Sequence, residues 1–338
     1  MSVNPLIPND PRVENKFLSV GDYTYHYFLA KPNRSAIATV VLLHGWPDLG
    51  IGWRNQVPYL VSLGLQVVVP DMLGYGQTSA PESPDEYTLK KMASHVAAII
   101  KANTHEQVIL GGHDWGAALV WRVAMYHPDL VQAAFGFCFP YLPASPDITT
   151  LENLVQHFPN FQYQLSNAAG SVEAAVGDSL ASLTAFVNGA FGGATPEGEP
   201  VFDPVQGVHA DRVARIGPSP LLDQEMADYY VQEYSRHGLR GPCNWYRTVE
   251  LNANDELSFA RDHPDFKFQV PAMIAMAEND GYLPPSTADG METHFAAGLK
   301  KGVIPSYHWT LSENPAESNV YIKDFITSVL GVSLEPDV

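Results

Sequence analysis

Short apolar runs rich in β-branched residues recur through the first 140 residues, with helical patterns between them. Ala38–Leu43, Leu65–Pro70 and Val108–Gly111 are too short for buried helices and too continuously apolar for strands with one wet face. Strands of this kind are buried on both faces, as in a parallel sheet. Between the second and third runs, Leu89, Met92, Ala93, Val96, Ala97 and Ile100 share one helical face. Ala117–Tyr126 is again helical, and Leu130–Phe139 reads as a further buried strand. Such alternation implies β-α-β units with right-handed crossovers. Ahead of it, Phe17–Val20 and Tyr23–Phe28 flank Gly21-Asp22 as a hairpin. After Pro140 the texture shifts to Gln, Asn, Tyr and Gly, with helical patches and no buried strand run. Pro271–Ala277 resumes the strand signature, Gly302–Tyr307 gives a short last strand, and Val320–Leu330 a closing helix. The expected architecture is α/β, a mostly parallel sheet with helices on both faces. Its core comprises 1–140 and 263–338, and a helical cap, 141–262, is inserted between them.

At roughly 150 residues per domain, a chain of 338 residues fits a large core with an insertion. Its net charge of −18, from 37 acids against 19 bases, repels polyanions. Nucleic acid is therefore not an expected partner, and an anionic membrane surface is disfavoured. Cys138 and Cys243 are the only cysteines, too few for a disulfide framework or a Cys-rich metal site. No apolar stretch approaches the ~18 residues that suggest a membrane span. Residues 1–30 lack a basic start followed by an apolar run, so no signal peptide is expected and the location expected is cytoplasmic. Oligomeric state is not legible.

The densest chemical signal is Gly112-His-Asp114-Trp-Gly116, between a strand and a helix. A turn that thrusts one reactive side chain above a sheet edge needs small residues two positions either side of it, a nucleophile elbow. The positive N-terminus of the following helix suits a carboxylate there. Alone, the pattern equally fits an ordinary turn with an Asp helix cap. His44-Gly-Trp46-Pro47, just after the first buried strand, can aim the Trp46 N–H at the elbow. Together with the N–H of Trp115 it would form an oxyanion hole. Ala277-Glu-Asn-Asp280 follows the resumed strand, and His308 follows the last one. The chain order is thus nucleophile, acid, histidine, with Asp280 orienting His308 as a base. Glu278 competes with Asp280. Alternation puts both on one face, and a turn due by residue 280 favours Asp280.

Other motifs carry less. Gly177-Asp-Ser179-Leu-Ala181 imitates a serine elbow, but the preceding Val172–Val176 is helical. Gly111–Gly116 has P-loop spacing without the following Lys-Ser/Thr, and Gly74-Tyr-Gly76 lacks a third glycine for a dinucleotide loop. There is no His-Glu-x-x-His and no Cys-x-x-Cys, so no cofactor and no metal are indicated.

From about residue 15 onward the chain resembles the epoxide hydrolases of the α/β-hydrolase superfamily. The motifs that carry the likeness are His44-Gly-Trp-Pro47, Asp71-Met-Leu-Gly-Tyr-Gly-Gln-Thr-Ser79, Gly112-His-Asp-Trp-Gly116, Arg240-Gly-Pro-Cys-Asn-Trp-Tyr246-Arg247 and His308-Trp309. The resemblance implies the α/β-hydrolase fold and places Tyr246 in a cap, where it donates to the epoxide oxygen. Its partner tyrosine is best matched by Tyr163, within Phe161-Gln-Tyr163. Tyr141 and Tyr229 fall outside the motif and read as packing. With no room for an extra N-terminal phosphatase domain, the chain looks like the single-domain microbial or plant type.

Such a set implies attack by Asp114 on an epoxide carbon, an Asp ester, and hydrolysis by water that His308 and Asp280 activate. The substrates would be a small lipophilic epoxide and water. A haloalkane dehalogenase shares the Asp, the His and the following Trp, but needs halide donors rather than two phenols. Fluoroacetate-type dehalogenases often carry a basic residue where Trp115 stands. A third possibility is a non-catalytic α/β-hydrolase serving as a small-molecule receptor.

Overall fold

Val40–Leu43, Val67–Val69 and Val108–Leu110 are fully buried, as strands covered on both faces must be. The computed structural model describes residues 4–336, so the outermost ends of the expected core, 1–3 and 337–338, lie outside the described residues. In chain order the strands are β1 (Glu14–Val20), β2 (Tyr23–Ala30), β3 (Thr39–Leu43), β4 (Gln66–Pro70), β5 (Val108–His113), β6 (Val131–Phe137), β7 (Phe202–Asp203), β8 (Gly207–Val208), β9 (Ala272–Ala277) and β10 (Leu299–Ile304). Eight of them form one sheet in the order β1-β2-β4-β3-β5-β6-β9-β10, while β7 and β8 make a separate ribbon. β1, β2 and β4 pair antiparallel, and every other pairing of the large sheet is parallel.

The chain divides into two compact units. The first, Met1–Met72, Leu89–Pro143 and His263–Val338, holds the large sheet. Its crossovers are helical: Val57–Ser62, Leu89–Asn103 and Trp115–Tyr126 link successive parallel strands, and Pro315–Leu330 follows β10. Two glycines record close packing. A Cβ on Gly111 would overlap the Phe135 ring, and one on Gly302 the Tyr321 ring, which seats the last helix on β10. The last strand runs 299–304 rather than 302–307, because Leu299-Lys-Lys at an exposed sheet edge is polar in pattern yet pairs in full with β9. The closing helix starts at Pro315, five residues before the expected 320. Asn314 caps it and Pro315 occupies its first turn.

The second unit, Leu73–Thr88 with Ala144–Asp262, carries the β7–β8 ribbon and a series of short helices capped by Thr150, Ser179 and Asp223. Ser179, the look-alike elbow serine, is thus a helix cap. Residues 73–88, which the sequence reading kept with the core, group here. Trp245 Nε1–H donates to the Leu73 carbonyl at 3.2 Å and Asn244 Nδ2–H to the Glu82 carbonyl at 3.0 Å. No helix among the described residues is long and apolar enough to cross a membrane.

Candidate active site

Asp114 stands between the end of β5 and the helix Trp115–Tyr126, with φ 53° and ψ −126°. An aspartate in that region costs on the order of 1–3 kcal/mol and persists only where its surroundings over-determine it. Here its N–H donates to the Phe137 carbonyl at 3.1 Å, and its own carbonyl accepts from Ala117 and Ala118. The glycine spacing has a direct cause. A Cβ on Gly112 would overlap the Gly116 carbonyl, one on Gly116 the Leu43 carbonyl, and one on Gly45 the Asp114 carboxylate.

The Trp46 N–H donates to Asp114 Oδ1 at 2.9 Å, and the Trp115 N–H also bonds this carboxylate. Both expected hole donors therefore meet one group. The loop that aims Trp46 is locked by His44. The buried Nε2 of His44 accepts the Met72 N–H at 2.9 Å, which leaves the proton on Nδ1, 3.0 Å from the Gly45 carbonyl. Burial holds His44 below the usual histidine range, against the opposing pull of Asp71. Asp71 anchors the same neighbourhood, accepting from Gly50 N–H at 2.9 Å and pairing with His26 Nδ1 at 2.8 Å. The sequence marked His44 and Asp71 only as motif members. Their local signal was a polar residue directly after a fully apolar strand.

Asp280 follows β9, fully buried at its side chain, and His308 Nδ1 lies 2.7 Å from its Oδ2. Oδ1 accepts the N–H groups of Tyr282 at 2.9 Å and Leu283 at 3.1 Å. Burial pushes the Asp280 carboxyl up, but the His308 charge, its hydrogen bond and these amides overcome that and lower it. Glu278, the competitor, is exposed, its backbone N–H paired with Ile304. On the far side of the ring, His308 Nε2 is 3.8 Å from Asp114 Oδ2. Burial draws the His308 pKa down, yet the Asp280 charge and bond, with Asp114 and Glu313, raise it to about 9. For Asp114, burial raises the pKa above the usual carboxylate range, and the His308 charge and the Trp115 and Trp46 amides offset this only in part. Both ring nitrogens of His308 thus face carboxyl groups, Asp280 at Nδ1 and Asp114 at Nε2.

His113 packs its ring 4.9 Å from that of His308, and its Nε2 lies 2.9 Å from the His308 carbonyl. Burial and the His308 charge hold His113 down at about 3, so it is neutral, with the Nε2 proton directed at this oxygen. Cys138, at φ 65° just after β6, directs its thiol at the same carbonyl, 3.5 Å away. Among the described residues, the ligand atoms of His113, Cys138 and His308 are the one such group close enough to hold a metal ion, within 4.8 Å of one another. In this arrangement their hydrogen bonds already engage all three side chains.

In the second unit, Tyr163 opens the helix Tyr163–Ala168 and Tyr246 lies in the turn Trp245–Arg247. Both are buried, their ring centroids 5.8 Å apart and 77° between planes. Arg247 fixes this pairing, with Nε–H donating to the Ala168 carbonyl at 2.9 Å, Nη1–H to Asn244 Oδ1 at 2.9 Å and Nη2–H to Glu173 at 2.6 Å. Tyr141 belongs to the first unit, its ring packed on Phe268 and under the Arg122 guanidinium. Tyr229 is half-buried beside Tyr230.

Against known proteins, the alpha/beta hydrolase fold family matches residues 38–315. Epoxide hydrolase srdG of Neurospora crassa is 48% identical, covering 98% of this chain and 100% of its own. Bifunctional epoxide hydrolase 2 of Sus scrofa is 33% identical over 83% of this chain, and the chain spans 50% of that relative's length. A solved epoxide hydrolase mutant from Vigna radiata superposes with a TM-score of 0.76 at 26% identity, covering 94% of this chain and 99% of that one.

Proposed function

The chain belongs to the epoxide hydrolases of the alpha/beta hydrolase fold family, and from that premise we propose that it converts lipophilic epoxides to vicinal diols through an ester of Asp114. The carrying observation is the split environment of one carboxylate. Oδ1 of Asp114 is held by the Trp46 N–H, while Oδ2 faces His308 Nε2. Oδ2 is the nucleophile, and Oδ1 is already where a tetrahedral oxyanion needs its donors. A carboxylate suits substitution at carbon because the ester it forms can be hydrolysed, whereas a serine would end as an inert ether.

In the first step Oδ2 bonds to an epoxide carbon and the strained C–O bond breaks. The oxygen takes a proton from the phenols of Tyr163 and Tyr246. In the second, His308, which gives up its resting proton to the phenolate once alkylation has erased the Asp114 charge, removes a proton from water at Nε2, and that oxygen attacks Cγ of Asp114. The negative charge gathers on Oδ1, between the Trp46 and Trp115 amides. Collapse breaks the bond from Cγ to Oδ2, and the departing alkoxide takes the remaining proton of the added water, so the diol leaves with Oδ2 and Asp114 keeps the oxygen of water as a carboxylate. The proton taken from water restores the resting imidazolium, so the protons balance over the cycle. Buried Trp46 and Trp115 beside the carboxylate favour an apolar substrate.

A single turnover in ¹⁸O-water, with enzyme in excess over an aryl epoxide, tests this reading. The expected diol is unlabelled and the heavy oxygen sits on Asp114. Label in the first diol would mean direct attack of water on the epoxide and overturn the ester route.

Tyr246→Phe is expected to slow alkylation by about 100-fold while KM-like binding of the substrate changes little. A phenol acting on developing charge serves the transition state more than the ground state. Stopped-flow quenching of the tryptophan signal separates the two, and an unchanged alkylation rate moves the donor role off Tyr246.

A further inference from the structure

His308 lies in a turn between β10 and the short helix Thr310–Glu313, so no strand or helix ladder holds its peptide groups. Pro305 and Tyr307 are exposed, Tyr307 at 67%, so apolar packing of the turn comes from the Trp309 ring against those of His113 and His308. The Asn279 N–H holds the Ser306 carbonyl at 3.0 Å, and side chains hold the peptide groups that follow. Glu313 reaches back over the helix, its Oε2 accepting the Tyr307 N–H at 2.7 Å and its Oε1 the Trp309 N–H at 3.0 Å. It acts as the acidic half of a capping box, moved one residue along. The two amides it engages flank His308 on either side. The His308 carbonyl is engaged from the opposite direction by the His113 Nε2 and the Cys138 thiol.

We propose that Glu313 is a positioning residue for His308, setting the pitch of the 307–309 turn so that Nε2 points at the ester of Asp114 while Nδ1 keeps its bond to Asp280. This rests on the reading of His308 as the base. An imidazole anchored at Nδ1 alone can swing about that bond. The swing displaces Nε2, the atom that must meet water, and a misplacement of about 1 Å costs on the order of 100-fold in rate. The carbonyl bonds from His113 and Cys138 prevent the turn from sliding, and the Glu313 carboxylate prevents it from tilting.

The groups facing the imidazole are Asp280 after β9, Asp114 at the elbow, His113 from β5, the Cys138 thiol after β6, the Tyr282 ring and Glu313. His113 stays neutral, and burial pushes the Cys138 thiol up, so the charges felt by His308 are those of the three carboxylates.

Glu313→Gln keeps one acceptor oxygen and removes the charge, whereas Glu313→Ala removes both bonds. In single-turnover experiments, ester hydrolysis is expected to slow about tenfold in the first and on the order of 100-fold in the second, with alkylation changed by less than about twofold. The acid limb of the hydrolysis step moves to lower pH in both, because one carboxylate that raises His308 is gone. The far-downfield proton signal of the His308 Nδ1–H···Asp280 bond, sharp in the wild type, broadens. Equal slowing of both steps, or an unchanged proton signal in Glu313→Gln, overturns the proposal and leaves Glu313 a plain helix cap. Should Glu313→Ala fail to fold, Glu313→Gln decides alone. The proton signal is read without substrate, so it judges the grip even if the wild type forms no ester, the result that would sink the base assignment instead.

Discussion

Asp114→Ala is expected to reduce diol formation by at least about 10⁴-fold, to the background rate, with the fold intact. Asp280 is not expected to replace it, because its oxygens are engaged by His308, Tyr282 and Leu283. The variant also separates chemistry from stability. Alanine retains a Cβ at φ 53°, so the backbone strain stays while the buried charge goes. Asp114→Gly relieves both, and glycine adopts that conformation readily. It is expected to be equally inactive yet about 1 kcal/mol more stable than Asp114→Ala. Product analysis at equal folded concentration and chemical denaturation check the pair. Multiple turnovers by either variant would remove Asp114 as the nucleophile.

His308→Gln is expected to stall the cycle after the first step. Alkylation needs only the carboxylate and the proton donors, so the ester forms. Glutamine cannot take a proton from water, and hydrolysis slows by about 10³-fold or more. Intact-protein mass spectrometry should then show a gain equal to one substrate molecule, localised to the peptide bearing Asp114. Diol formation at the wild-type rate with no adduct would remove the base role from His308. The wild-type pH dependence follows from the same charges. At rest His308 is protonated below about 9. Alkylation erases the Asp114 charge, one of those that raise it, and the imidazole pKa falls. The hydrolytic form is the neutral one, so the hydrolysis rate constant rises with pH to a plateau reached below 9.

Much of this site was legible in the chain because its constraints are local. The turn at Asp114 is legible through glycines that have no room for a Cβ, a property of a single tight turn. Asp280 was preferred to Glu278 by counting where a turn must begin, and the structure buries Asp280 and exposes Glu278. What stayed hidden depends on residues distant in sequence. Nothing near Met72 announces that its N–H meets His44, and nothing near Glu313 announces a grip on the turn before it. The β10 boundary was misplaced for a related reason. Lys300 and Lys301 are exposed at a sheet edge, where pairing with β9 rather than burial makes the strand. Residues 73–88 grouped with the second unit through contacts with Trp245 and Asn244, well beyond any local pattern.

The pairing of β6 with β9 also governs how the protein is made. The two strands are neighbours in the sheet, but the whole of 144–262 is translated between them. At about 5–20 residues per second, β6 leaves the ribosome many seconds before its partner. For that interval the nascent sheet ends in an open apolar edge, the kind that recruits other chains. Pairings of such long sequence separation form late and slowly. The open side of β6, whose last residue Phe137 accepts the Asp114 N–H, is covered only when residues 272–277 arrive, and the segment that brings them also brings Asp280 and His308. Until β9 and the segment after it are made, the turn at Asp114 exists without Asp280 and His308, and β6 lacks the neighbour it pairs with.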